Sequence, residues 1–181
     1  MSMLAILSGV LEKDIDEFLN VPGRPWGVAH SRLKAEMEKG GHSPSYSIPT
    51  LFPYGDNTYV LMANHEYGYD GRNSQDLGKA SIQGRIEIHK MVSALKSLGG
   101  KWSGLRLIAS SPCIGVREGR RIHGLYTISV EDLKTGATHP DAVCKATFCV
   151  DIHALTKSVG GIHTQSFQVK PYDIPLRALI A

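Results

Sequence analysis

An α+β fold, a largely antiparallel sheet with one long amphipathic helix and short flanking helices, is what this sequence predicts, on three observations. Apolar residues recur at steps of three or four from Leu77 to Leu98, drawing one buried stripe along a helix of about 25 residues and about 37 Å. Beyond that helix the chain turns into short apolar or alternating runs separated by Pro, Gly and Ser. Helical and strand patterns do not alternate regularly, which removes the repeating strand–helix unit of a parallel sheet. With roughly 150 residues per domain as the guide, the 181 residues form a single domain, 1–181.

The first forty residues read as short elements joined by turns. Residues 3–7 form a brief strand and residues 14–19 a turn or two of helix. Pro22 and Pro25 then remove backbone donors and fix φ, so regular structure stops there. Ser31 is the N-cap of a short charged helix over 32–39, which Gly40-Gly41 ends. Pro44, Pro49 and Pro53 make residues 43–53 an extended, irregular connection. Residues 58–62, Thr-Tyr-Val-Leu-Met after Gly55-Asp56-Asn57, form a strand.

Asn73 or Ser74 caps the long helix, and Asp76 in its first turn suits the helix dipole. Lys79, Arg85, Glu87, Lys90 and Lys96 fall mostly off the apolar stripe, and Gly99-Gly100 ends the helix. Strands are expected over 105–110, 113–116, 121–128, 147–152, 162–169 and 176–180. Ser129-Val130-Glu131-Asp132 opens a short helix in the manner of a capping box, ended by Gly136. Pro140 at a first helical position predicts another turn of helix over 140–145.

Composition narrows the function classes. Twenty Lys and Arg against 17 Asp and Glu give a net charge of +3 from scattered residues, with no basic stripe for nucleic acid. No run of about 18 apolar residues exists for a membrane span, and the opening seven residues lack a basic n-region. Three cysteines cannot close a disulfide framework and lack zinc-ligand spacing, so free thiols in a reducing, cytoplasmic setting are expected. The eight histidines show no HExxH pattern, so no metal site is expected.

Two clusters carry candidate chemistry. Arg117, Arg120 and Arg121 put three guanidinium forks within five positions, suited to carboxylates, phosphates or an electron-rich ring. The same residues also fit a solvated strand end in which Glu118 pairs an arginine. Strand alternation would put Cys149, Asp151 and His153 on one face, where Asp151 either orients His153 for proton transfer or both are satisfied structural groups. GxGxxG, GxxxxGK[ST] and GxSxG are all absent.

The order of segments adds a resemblance. Ile114-Gly115-Val116-Arg117-Glu118-Gly119-Arg120-Arg121-Ile122 resembles the IGVRETRRI signature of a family of FAD-dependent oxidoreductases. Upstream, Asp76-Leu77 through Ala80 and Gly84-Arg85 is similar to its DLTxAExEGR helix. Downstream, Gly124-Leu125-Tyr126-Thr127 with Glu131-Asp132 is similar to GxYxLTxxD, and Cys149-Val150-Asp151-Ile152-His153 to PIDIH. Tyr172-Asp173-Ile174-Pro175-Leu176-Arg177-Ala178-Leu179 resembles YDIPYRxLxP. Gly119, Leu176 and Ala181 stand where Thr, Tyr and Pro are usual.

That family has an N-terminal GxGxxG turn for the FAD pyrophosphate and a C-terminal LLVAGR segment, neither of which is in this sequence. The resemblance therefore implies the substrate-binding or cap region of such an enzyme. FAD would sit in the full-length parent, on its FAD-binding domain, and is not expected on this chain alone. A small-molecule substrate is the other implied partner. Arg117 or Arg121, in the cluster with Arg120, would stabilise the anionic reduced flavin, and His153 held by Asp151 would be the acid–base group, with Arg117 beside them. For one substrate to meet both clusters, the strands ending at Val116 and His153 would be neighbours. The alternatives are a stand-alone ligand-binding or interaction module without redox chemistry, and an assembly subunit. Apolar surface left by a missing domain would favour homo-oligomers.

Overall fold

The computed structural model describes every residue except Trp26, Glu118, Cys149 and 154–162, and describes 151–153 and 163–167 by backbone alone. Helices and antiparallel strands are both present, so the fold is α+β. The chain divides into two compact units, Met1–Gly119 and Arg120–Ala181.

The first unit runs β1 (Leu4–Ser8), α1 (Glu12–Ile15), α2 (Val28–Lys39), β2 (Thr50–Gly55), β3 (Thr58–Met62), α3 (Ser74–Ser97) and β4 (Arg106–Ser110). Its strands form one antiparallel sheet in the order β2-β3-β1-β4. The pleat sorts the side chains: Ala5 and Leu7 of β1 and Tyr59 and Leu61 of β3 are buried, while Leu4 and Ile6 are exposed. Asp56 and Asn57, both at positive φ, make the two-residue turn between β2 and β3, a conformation short polar side chains tolerate.

α3 is the helix that the periodicity predicts. Asn73 Oδ1 accepts from Gln75 N at 2.9 Å and Asp76 N at 3.4 Å, and Ala80, Ile88, Met91, Val92 and Leu95 are buried. They pack with Leu33 and Met37 of α2 and with Trp102 in one core, each large side chain contributing about 1.5–3 kcal/mol of apolar burial. Trp102 keeps its polar atom satisfied, Nε1 donating to Glu36 Oε2 at 2.8 Å.

Two glycine contacts set the spacing of these pieces. Gly40, ending α2, lies so close to Ala94 of α3 that an added Cβ would run into the Ala94 carbonyl. Gly9 (φ +88°) and Gly104 approach each other backbone to backbone, each occupying the space the other's Cβ would need.

The second unit holds α4 (Val130–Thr135), β5 (Ala142–Ala146), β6 (Val150–His153), β7 (His163–Phe167) and β8 (Tyr172–Pro175). β5 pairs with β8 and β6 with β7, both antiparallel. α4 has the expected capping box: Ser129 Oγ accepts from Asp132 N, and the Asp132 carboxylate accepts from Ser129 N at 2.7 Å. Gly136 ends it in the left-handed conformation (φ +74°).

Several elements differ from the sequence expectations. β2 occupies part of the proline-rich connection, with Pro53 at a register irregularity of an edge strand, where its missing N–H is tolerated. α2 begins at Val28, four residues early, because Gly27 serves as its cap and Ser31 Oγ donates back to Gly27 O at 2.9 Å. Residues 113–116 form no strand; Gly115 makes a single bridge to Ser2. Residues 121–128 are irregular, the turn expected over 140–145 is β5, and Leu176–Ala178 is a 3₁₀ turn where a strand was expected.

Candidate functional site

The three signature arginines lie in an irregular, exposed segment. Arg117 lies two residues before the end of the first unit, and Arg120 and Arg121 open the second. Among the described residues none of these guanidinium groups has a hydrogen bond or an ion pair, and Glu118, the acid expected to pair one of them, lies outside the description. Asp151 and His153 are on β6, where Asp151 opposes Ser166 and His153 opposes His163 across a register irregularity. Their side chains lie outside the described residues, so the Asp–His pairing is left as an expectation. The strand ending at His153 pairs with β7, whereas residues 113–116 form no strand at all, so the expected strand neighbourhood is not formed.

Sequence reasoning missed a polar knot in the second unit that draws in residues of two family-like segments. Tyr126 hydroxyl donates to Asp132 Oδ2 at 2.8 Å, and Arg177 lies over the Tyr126 ring, 4.8 Å from its centroid. Arg177 also donates from Nη1 to Asp141 and from Nη2 to His139 Nδ1 at 2.9 Å, so that Nδ1 is the unprotonated ring nitrogen. Asp173, nearly buried, accepts from His139 N at 3.0 Å and pairs with Lys145 at 2.7 Å. These donors set the acidities. The Lys145 ammonium, then the His139 N–H, hold Asp173 below the usual carboxylate range. Asp132 is lowered by the Ser129 N–H and then by Tyr126, whose own phenol is raised by the same bond. Burial pushes Asp141 upward, but the Arg177 N–H and guanidinium outweigh it.

A second knot sits in the first unit around Glu87, a residue placed off the buried stripe by its charge yet only 7% exposed. Its carboxylate accepts from Ser45 N and Ser45 Oγ, both at 2.6 Å, and from Asn64 Nδ2, with His42 Nε2 at 3.6 Å. Asn64 Oδ1 in turn accepts from Met3 N at 3.0 Å, tying α3 to the start of β1. The His65 ring packs against Tyr46 at 4.4 Å and edge-on to Tyr67 at 6.0 Å. Burial, then Glu87 and Tyr46, raise the Tyr67 phenol. The distances that assemble this knot, 42 residues from Ser45 to Glu87 and 23 from Asn64, leave no local sequence signal.

The starts of α1, α3 and α4 do not fit a dinucleotide pyrophosphate, whereas α2 opens at Gly27 with no side-chain cap and no acid in its first turn. The N–H groups opening α3 and α4 are taken by Asn73 and Ser129, and α1 carries Glu12 and Asp14 in its first turn. The turn from β1 to α1 has one glycine, Gly9, and its space is filled by Gly104. No group of three or more metal-ligating side chains exists among the described residues, and no described helix is long and apolar enough to cross a membrane.

A family model described as FAD dependent oxidoreductase matches residues 5–181. No curated protein and no solved structure matches.

Proposed function

Taking as premise that this chain belongs to the FAD-dependent oxidoreductase family, we propose that it is the substrate-side region of such an enzyme, working with a partner domain that holds the dinucleotide. The observation that carries this reading is a contrast between polar groups of the family-like segments. Tyr126, Asp132, Asp173 and Arg177 are consumed by one another or by near neighbours, whereas Arg117, Arg120 and Arg121 are exposed and uncommitted among the described residues. Positive charge kept unpaired at a protein surface is available to an electron-rich or anionic group brought by substrate or partner. In this reading Arg117 and Arg121 supply that charge, Arg120 reinforces it, and His153, oriented by Asp151, moves a proton at the substrate. Redox chemistry belongs to the flavin of the partner domain, since the sequence holds no GxGxxG turn to cradle its pyrophosphate.

The test has two arms. The purified chain is expected to be colourless, and a yellow preparation near one flavin per chain would overturn the assignment. In an enzyme joining this region to a dinucleotide-binding core, Arg117→Ala and His153→Ala should each lower turnover by about 10²-fold with the circular dichroism spectrum unchanged. Unchanged turnover in both variants would return these residues to the role of solvated surface groups.

A further inference from the structure

A groove of about 1010 Å³ runs between the Gly40-Gly41-His42 turn and the outward side of α3, and nothing in the reading above uses it. Ile82 and Ile86, one helical turn apart, are 61% and 42% exposed and give it an apolar floor. Its polar lining is basic, with Arg85 and Lys90 as its charged groups. Arg85, His89 and Lys90 come from α3 and His42 from the turn, and no Asp or Glu lines it among the described residues.

One of these groups is fixed by hydrogen bonds, and another is backed by a buried carboxylate. Arg85 donates to Ser111 O at 3.2 Å and to Pro112 O, which fixes its guanidinium, and it pairs with no carboxylate among the described residues. His42 turns Nε2 inward, 3.6 Å from Glu87 Oε1, and Glu87 is itself pinned by Ser45 and Asn64. Neither ring nitrogen has a hydrogen-bond partner among the described residues, and Nε2 is buried. The result is an imidazole, backed by a buried carboxylate, on the lining of a basic groove with an apolar floor.

The geometry points to a binding site for a small amphipathic carboxylate, its hydrocarbon part on Ile82 and Ile86 and its head group on the His42, Arg85 and Lys90 rim. Charge complementarity selects this occupant. An apolar floor alone would suit any hydrophobic surface, but a rim with basic groups and no acid favours an anion, and carboxylates match guanidinium, ammonium and imidazole donors. The site lies wholly within the first unit and stands apart from the redox reading.

Octanoate is the probe, with octan-1-ol (same tail, no charge) and acetate (charge, no tail) as comparisons. Titrated into the isotope-labelled chain, octanoate should saturably shift the His42 and His89 ring signals and the Ile82 and Ile86 methyls, with a Kd on the order of 1 mM for so small a ligand. Octan-1-ol and acetate should bind at least about tenfold more weakly, the loss expected for one charge-assisted contact or for the tail. Lys90→Gln and Ile86→Ser, both at exposed positions that leave the core intact, should each weaken octanoate by about fivefold or more. Absence of a saturable shift, equal affinity for octan-1-ol, or variants that bind like the parent would each overturn the site. So would shifts of the same methyls on raising protein concentration alone, which would assign the groove to a second copy of the chain.

Discussion

Glu87 shows what a single side chain does in this molecule. Its carboxylate collects donors from two loops and holds them to α3, so removing it leaves the Ser45 N–H and the Asn64 amide buried with fewer partners. Glu87→Ala is expected to cost about 3 kcal/mol, the usual scale for losing hydrogen bonds to a buried charge, read as a lower urea midpoint at unchanged m-value. A change within about 0.5 kcal/mol, typical of a surface substitution, would show that the knot does not hold the loops. The second unit gives a titration with a definite sign. Asp132, Asp141 and Asp173 all lie below their ordinary value of 3.8 when folded. The unfolded chain therefore binds more protons near that pH, so the stabilisation is complete above 3.8 and is lost as pH falls through the lower folded values. Carbon-detected NMR titration of these carboxyls should give midpoints below 3.8, and midpoints at or above it would remove the proposed donors. Charge is also why Glu87 was illegible in the sequence: a Glu beside Arg85 and Lys90 reads as solvated face, and only the distant partners Ser45 and Asn64 make its burial tolerable. The Tyr126–Asp132–Arg177 knot had a trace in sequence, since its members lie in family-like segments, but spacing says nothing of their meeting.

At the scale of elements, local signals were legible where local physics decides. The Asn73 cap, the apolar stripe of α3, the Ser129 capping box and the β3 strand all follow from short-range chemistry and appear where the residues place them. Elements decided by partners were not legible. β2 exists because β3 offers it a ladder despite Pro53, and β5 exists because β8 pairs with it across a stretch whose Pro140 reads as a helix start. The packing of α2 on α3 rests on a contact no pattern reveals, the approach of Gly40 to Ala94. Gly40→Ala should push the two helices apart and destabilise the unit by about 1–3 kcal/mol, the scale of overpacking. Thermal unfolding checks this, and an unchanged or raised midpoint would show that the Ala94 backbone yields without cost.

Across the whole molecule, burial is unevenly divided. Among the described residues the buried apolar core cluster lies in the first unit, whereas Leu125 and Phe148 of the second are 72% and 73% exposed. Two-stranded ribbons without an apolar face against something else are marginal in water. Hydrogen exchange should therefore protect α3, β1 and β3 strongly and leave the amides of β5 and β8 close to unprotected in the isolated chain. Equal protection in both units would mean that the second is self-sufficient. The exposed side chains further predict a dimer or larger species at high concentration, and a clean monomer in sedimentation at every concentration would count against it. In the proposed enzyme the same side chains would be covered by the partner domain.

The meeting of Gly9 and Gly104 carries a consequence for how this sequence can drift. Most packing conflicts can be relieved by trimming the opposing side chain, so that a larger residue at one site is rescued by a smaller one at the other. Here the obstacle on each side is backbone, and both positions already hold the smallest residue there is. No second substitution at the partner position can rescue the first, and the two sites vary neither singly nor as a compensating pair. In a library selected for folding, both columns should stay glycine while neighbouring Val10 and Leu105 exchange among apolar residues.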